Sequence, residues 1–290
     1  MRVELMRRLY AWLRPGARNS AAVALLLAEH DRWPRTIERW DDGPVVVLSP
    51  HPDDEAIGCA GAVLLHRAAG ATVHIVQVSD GRHGDRRLHA PGLTEAERED
   101  LRRELVATRR DEALRWGREA GVQGVHFLDG ADGAIGPHPP LVAALGSLLD
   151  GLRPQLVYLP FVTDLLEDHW QTSLLFEAAA RAGRGGWAAG ALRVRGYEVW
   201  SPLPANRVAD IGAVSARKQA LLEVYASQLR DVDYRRAIEG LNRYRSMLLA
   251  ATGVGHAEAY FEASLRGWLD LMARRLHAWR PGSAPRSAVA

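Results

Sequence analysis

Cysteine is almost absent: the 290 residues contain one, Cys59. No intrachain disulfide can form, which excludes the stapled secreted scaffolds and leads to an expected cytoplasmic location. Long apolar runs are also missing, and none approaches the roughly 18–20 residues of a membrane span. The stretch MRVELMRRLYAWLRPGARN has no secretory pattern, because Glu4 and Arg7–Arg8 interrupt any apolar core. A charge excess of one sign is lacking too. The formal net charge of +2 gives no reason to expect a nucleic-acid partner. What remains, 47% hydrophobic and 25% charged, is ordinary globular composition, long enough to bury a core without cross-links.

Residues 1–43 read as an N-terminal helical extension. Val3, Leu5, Met6, Leu9, Trp12 and Leu13 fall near helical spacing with arginines between them. Packing on the domain is the expected use of that face, and peripheral contact with a membrane surface is the competing one. Residues 44–280 form the main domain and 281–290 a disordered tail.

Within the domain, Val45–Ser49 is an unbroken apolar run of the kind buried on both faces of a sheet. Helix 56–69, strand 72–78, a charged helix from Thr94 to Ala120, strand 124–128, helix 141–152, strand 155–160 and a helix from His169 to Ala182 follow. Thr94 and Glu97 have the spacing of a capping box. Strands alternating with helices of this length predict an α/β fold, a Rossmann-like, mostly parallel sheet with helices on both faces. After Gly190, ALRVRGYEVWSPL reads as a further strand, with an antiparallel placement open. Helices are expected over 215–229, 236–250 and 257–279.

The chemistry begins where the first strand ends, in the loop His51-Pro52-Asp53-Asp54-Glu55. Right-handed crossovers place parallel strand ends on one rim, where such folds bind ligands. His169, directly after the fourth strand, is therefore able to meet His51. Two imidazoles and a carboxylate make a three-ligand set with a position open for water. An acidic helix start explains the carboxylates alone, but not His51-Pro52 or the second imidazole.

The segment SPHPDDE resembles the zinc-dependent N-acetylglucosaminyl de-N-acetylases, the LmbE-like or PIG-L-like family. The resemblance continues through Ser79-Asp80-Gly81, Arg109-x-x-Glu112, FLDGADG and Asp168-His169, and into YEVWSPLP, VADIGAV, ARKQALLEVYASQ and HAEAYF. It implies His51, Asp54 and His169 as ligands of Zn2+, with Fe2+ as another divalent candidate. It implies Asp53 as general base, and Arg109 and Asp132 as holders of substrate hydroxyls. Asp80 and Arg82 are placed to reach the same pocket. Glu55 is expected to orient a ligand from behind or to cap the following helix, and Asp168 to support its neighbour His169 from behind. An ion pair within the helix is the simpler use of Arg109 and Glu112.

Where many family members read D-x-H-P-D-H, this chain reads Asp164-Leu165-Leu166-Glu167-Asp168-His169, so Leu166 replaces a histidine that helps stabilise the oxyanion. His83, His138 and His256 are candidates to compensate, with His256 or His83 expected to do so. The implied activity is removal of an N-acetyl group from an amino sugar conjugate, a small-molecule partner. A homo-oligomer is compatible with it. Two other classes stay open: a metal-binding recognition protein without turnover, for which Leu166 speaks, and a non-haem iron oxygenase, disfavoured by the spare aspartate.

Overall fold

The computed structural model describes residues 33–183, 186–189, 191–230, 232–249 and 255–274. The expected N-terminal helices, the tail and the end of the last expected helix lie outside them. Among the described residues, eight strands form one sheet: β1 (Arg35–Thr36), β2 (Val45–Ser49), β3 (Val73–Ser79), β4 (Gly124–Gly130), β5 (Leu156–Pro160), β6 (Arg193–Tyr197), β7 (Arg207–Asp210) and β8 (Ala257–Ser264). Their order is β1-β7-β8-β6-β5-β2-β3-β4. From β6 to β4 the strands run parallel; β8 is antiparallel to both β6 and β7.

The described α-helices flank the sheet: α1 (Asp54–Ala68), α2 (Glu95–Ala120), α3 (Pro139–Leu152), α4 (Glu167–Ala182), α5 (Ser215–Leu222), α6 (Ala226–Leu229), α7 (Tyr234–Arg245) and α8 (Leu265–Arg274). Val46 and Leu48 of β2 pack with Leu145 of α3, Phe176 of α4 and Trp268 of α8. Val45 and Val47 pack on the other face with Ala60 of α1, Trp116 of α2 and Leu221 of α5. Both faces are therefore dry, which is why β2 shows no polar alternation. Among the described residues no helix is long and apolar enough to cross a membrane.

Local signals place α1 and α2. Thr94 and Glu97 close the expected capping box, and Gly121 ends α2 in a left-handed turn. A Cβ on Gly58 would overlap the Tyr197 ring, and one on Gly61 would overlap Ile211 and Glu258, so α1 sits against the sheet only because both are glycine. Cys59 is buried in α1 and interrupts it with non-helical angles. Glu258 of β8 bridges the break by accepting from Gly61 N and Ala62 N, and Lys218 of α5 donates to both Ile57 O and Glu258.

Three expectations are corrected. Ala257–Ser264 is a strand, not the start of a long helix. Its Ala/Glu content favours helix, but alternate residues fill opposite cores, Ala259 and Phe261 on one side and Tyr260 on the other. β6 is parallel to β5, and the antiparallel contribution comes from β8. The expected helix 215–229 breaks between α5 and α6. The break lets the Tyr225 hydroxyl reach Glu55 and lets Glu112 of α2 accept from Ser227 N and Oγ at 2.8 and 2.6 Å.

Candidate metal centre

The strand order reverses at β2. β3 and β4 continue on one side of it, β5 and β6 on the other, and ligands of open α/β sheets bind at such a point. His51 leaves the end of β2, and His169 lies in the first turn of α4 after β5. Their ring centroids are 5.5 Å apart. Asp54 lies between them. Its Oδ2 is 3.2 Å from His51 Nδ1 and 3.3 Å from His169 Nε2, and it accepts from His51 N at 2.9 Å. One ligand atom from each of the three lies within 4.8 Å of the others.

The donor set fits a divalent cation. His169 is fully buried, and neither ring nitrogen makes a well-formed hydrogen bond, although Asp54 Oδ2 and Asp164 Oδ1 lie 3.3 and 3.4 Å away. Burial opposes protonation of both imidazoles. The aspartates outweigh it, raising His51 well above its usual range and His169 to about 9. Burial also opposes ionisation of Asp54, yet His169 and His51 hold its carboxyl well below the ordinary carboxylate range. The carboxylates thus favour positive charge where the three ligand atoms converge.

A second ring of carboxylates fixes the imidazoles. Asp168 Oδ2 lies 3.1 Å from His51 Nε2 and accepts from Gly133 N at 2.8 Å. Asp132 Oδ1 is 3.4 Å from the same Nε2, while its Oδ2 accepts from His83 N at 2.9 Å. Such contacts on the far nitrogen of a ligating histidine set its tautomer and orientation. Asp168 therefore serves His51, across the switch point, rather than its neighbour His169. His169 is served by Asp164, whose Oδ1 also accepts from Leu166 N (3.2 Å) and whose Oδ2 accepts from Trp200 N (3.0 Å). Sequence reasoning assigned Asp164 no role. Its place in the DLLEDH loop was the available signal.

Asp53 caps α1 at φ 139° and ψ −25°, far outside the usual space of an L-residue. Burial lifts its carboxyl to about 7 against the pull of Arg109. Glu55 is fully buried and accepts from Ser49 Oγ, Asp53 N and Gln77 Nε2, and from the Tyr225 hydroxyl. It braces the loop backbone, and no described hydrogen bond joins its carboxylate to the side chain of His51, Asp54 or His169. Arg109 makes no ion pair with Glu112. It is 3% exposed and donates to Gly81 O, Pro52 O and Asp53 Oδ1.

The remaining expected residues divide. Asp80 and Arg82 pair with each other at 2.6 Å after β3. His83 stands at the rim, half-exposed, its Nδ1 3.9 Å from Asp132 Oδ1. His138 Nε2 bonds Ala134 O. His256 precedes β8 beside Glu239 of α7 at 4.0 Å, and no described contact joins it to His51, Asp54 or His169. Of the tryptophans, Trp116 and Trp187 are buried. Trp200 is 44% exposed, edge-on to Tyr234, and tied through Asp164 to His169.

Residues 46–180 match the family model described as PIG-L, GlcNAc-PI de-N-acetylase. Over this stretch the chain is similar to the PIG-L family. The fold repeats in solved structures. A conserved protein of Thermus thermophilus is 25% identical, with 74% of this chain and 92% of that one covered at a TM-score of 0.61. The N,N'-diacetylchitobiose deacetylase of Pyrococcus horikoshii is 20% identical, covering 84% and 92%, with TM-score 0.64. The 4-carboxy-2-hydroxymuconate hydratase of Pseudomonas putida is 21% identical, covering 79% and 96%, with TM-score 0.64. No curated protein matches the chain. The matched stretch runs from β2 into α4 and so contains His51, Asp54 and His169.

Proposed function

We propose that the protein is a zinc-dependent hydrolase that removes the acetyl group from an N-acetylated amino sugar conjugate, giving acetate and a free amine. The observation that carries this reading is the meeting of His51, Asp54 and His169 at the switch point, with the Asp53 carboxyl in the adjoining position of the same loop. His51, Asp54 and His169 would hold the metal. When bound, zinc supplies Lewis acidity toward the acetyl carbonyl and acidifies water.

The chain's own groups do the proton work. With its pKa near 7, Asp53 accepts a proton from water as the oxygen adds to the carbonyl carbon. As the C–N bond breaks, the same carboxyl returns the proton to the departing nitrogen, so acetate and amine leave with all atoms accounted for. Asp132, Asp164 and Asp168 keep both imidazoles aimed. His83, at the rim beside Asp132, stands in for the histidine that Leu166 replaces and donates to the carbonyl oxygen as charge develops on it. His256 remains with Glu239 and is given no part.

Apolar side chains are exposed next to Asp164: Leu165 follows it in the chain, and Trp200 N donates to it. Leu165 is 78% exposed, and Trp200 is exposed against Tyr234. That surface suits a sugar ring and an apolar group beyond it. Likeness of fold does not separate hydrolysis from hydration, since a matched structure is a hydratase. The amide reading rests on the family match together with a base set beside the ligands. Leu166 supports the competing reading of a binding protein without turnover. The test is amine and acetate release from a panel of N-acetylglucosamine conjugates, with Asp53→Asn as control. Zinc binding without release across the panel would favour the binder.

A further inference from the structure

We propose that His74 and His126 form a second metal site, a two-imidazole chelate for a late divalent transition metal such as Zn2+, separate from the centre at His51. The two side chains come from neighbouring strands. In the register of β3 with β4, His74 faces Gly124, and His126 lies two residues further along and faces Val76. Positions related in this way project from one face of a sheet. His74 Nδ1 and His126 Nε2 stand 3.1 Å apart, with ring centroids 5.2 Å apart and planes inclined by 39°. Two nitrogens held about 2.0–2.1 Å from one zinc ion are about 2.8–3.4 Å apart for bond angles of about 90–110°. The pair is already at chelating separation.

Gly124 keeps the pair open. A Cβ there would stand 3.2 Å from both His74 Nδ1 and His126 Nε2, so the same two atoms border the space that the missing side chain leaves. Both residues are half-buried and so remain within reach of solvent. Burial lowers the pKa of each imidazole from 6.5, and the His126 ring lowers that of His74 further. Both rings are therefore neutral at neutral pH, the form that binds a metal. Without a metal, one ring donates to the other. To offer both nitrogens to an ion, the donor ring moves its proton to its other nitrogen, and the pair keeps its charge. Among the described residues no third ligand joins them, so water completes the coordination. The pair is remote from the first centre: His74 lies beside Val46 of β2, five residues before His51, or about 16 Å back along the strands. β4 is the outer strand of the described sheet and bonds only to β3. An ion shared by His74 and His126 staples that edge, and the loop beyond β4 carries Asp132, which faces His51.

Zinc bound at equilibrium is counted by dialysis against sub-millimolar free zinc, followed by metal analysis, for wild type, His74→Gln, His126→Gln and His51→Ala. Wild type is expected to hold two equivalents. His74→Gln and His126→Gln are each expected to lose the weaker equivalent and keep the tighter one, and His51→Ala to keep the weaker. A single equivalent in wild type, or a second that survives in both glutamine variants, would overturn the proposal. Cu2+ added to the zinc-loaded wild-type protein gives the same decision if a variant does not fold. The imidazole resonances of His74 and His126 are expected to broaden before those of the other histidines, and both staying sharp while others broaden would overturn the assignment. None of these readouts uses turnover, so failure of the deacetylase reading would leave the result standing.

Discussion

Asp164 offers the sharpest test of how the metal centre is held. Its carboxylate meets three partners from two loops: His169 Nδ1, Leu166 N and Trp200 N. Asp164→Ala removes all three contacts without altering any ligating atom. Losing the partner behind a ligating histidine typically costs 10–100-fold in metal affinity, which at about 1.4 kcal/mol per decade is about 1.4–2.7 kcal/mol. The two amides lose charge-assisted bonds of about 1.5–3 kcal/mol each when buried. Leu166 and Trp200 border solvent, so water replaces much of that, and a stability loss of about 2 kcal/mol is expected. Zinc competition against a chromophoric chelator measures the first effect and chemical denaturation of the metal-free protein the second. Asp164→Asn retains an acceptor oxygen and is expected to recover most of the stability but only part of the affinity. Wild-type zinc affinity in Asp164→Ala would refute the assignment of His169 as a ligand braced by this carboxylate.

Asp53→Asn is expected to retain zinc and lose about 10²–10⁴-fold in kcat, read by amine release alongside metal analysis; loss of metal instead would make Asp53 a ligand. Trp200→Ala is expected to raise KM for conjugates with a large apolar group while leaving kcat on the simple N-acetyl sugar unchanged, and an equal effect on both would remove Trp200 from substrate recognition. His66 gives a pH dependence of stability. Burial, foremost, lowers its pKa from 6.5 to about 4, its ring lying between Trp40 O and the Tyr158 hydroxyl. Above pH 6.5 neither state carries the proton. Between 6.5 and 4 the unfolded chain takes it and the folded chain does not, so stability falls as pH falls, by about 3 kcal/mol in total at about 1.36 kcal/mol per unit. Denaturation curves at about pH 7 and about pH 4.5 are expected to show a smaller acid loss in His66→Gln than in wild type; equal losses would exclude His66 as the source.

The apolar run at β2 and the imidazoles after β2 and β5 were legible because both signals are local and the crossover rule converts them to one rim. Asp168 was recognised as a supporting residue but matched to its neighbour His169, whereas it faces His51. Which carboxylate faces which imidazole is decided by loops that approach each other across the switch point, and no spacing encodes that. Arg109 illustrates the same limit. Its i, i+3 relation to Glu112 suggests a pair, yet each turns to a different loop, Arg109 to Pro52 and Glu112 to Ser227. β8 was misread because its Ala and Glu residues favour helix, and only the two facing cores make a strand of it.

The arrangement also accounts for why so much buried acid is tolerable in one place. Asp54, Asp132, Asp164 and Asp168 converge on two histidines with Asp53 in the same loop, and an ionised carboxylate buried alone is costly. Four of the five are compensated by an imidazole: Asp54 shares both, Asp132 and Asp168 take His51 with a backbone N–H each, and Asp164 takes His169 with two. Asp53 alone is given a guanidinium and no imidazole, and alone among the shifted site aspartates has its pKa raised, while Asp54 and Asp132 are lowered. Adjacent carboxylates pushed in opposite directions are how one loop supplies both a permanent anion for a cation and a base that can take up and release a proton near neutral pH. Separating Asp53 from Asp54 therefore matters as much as placing the ligands, and the positive φ that turns one away from the other is the structural form that separation takes.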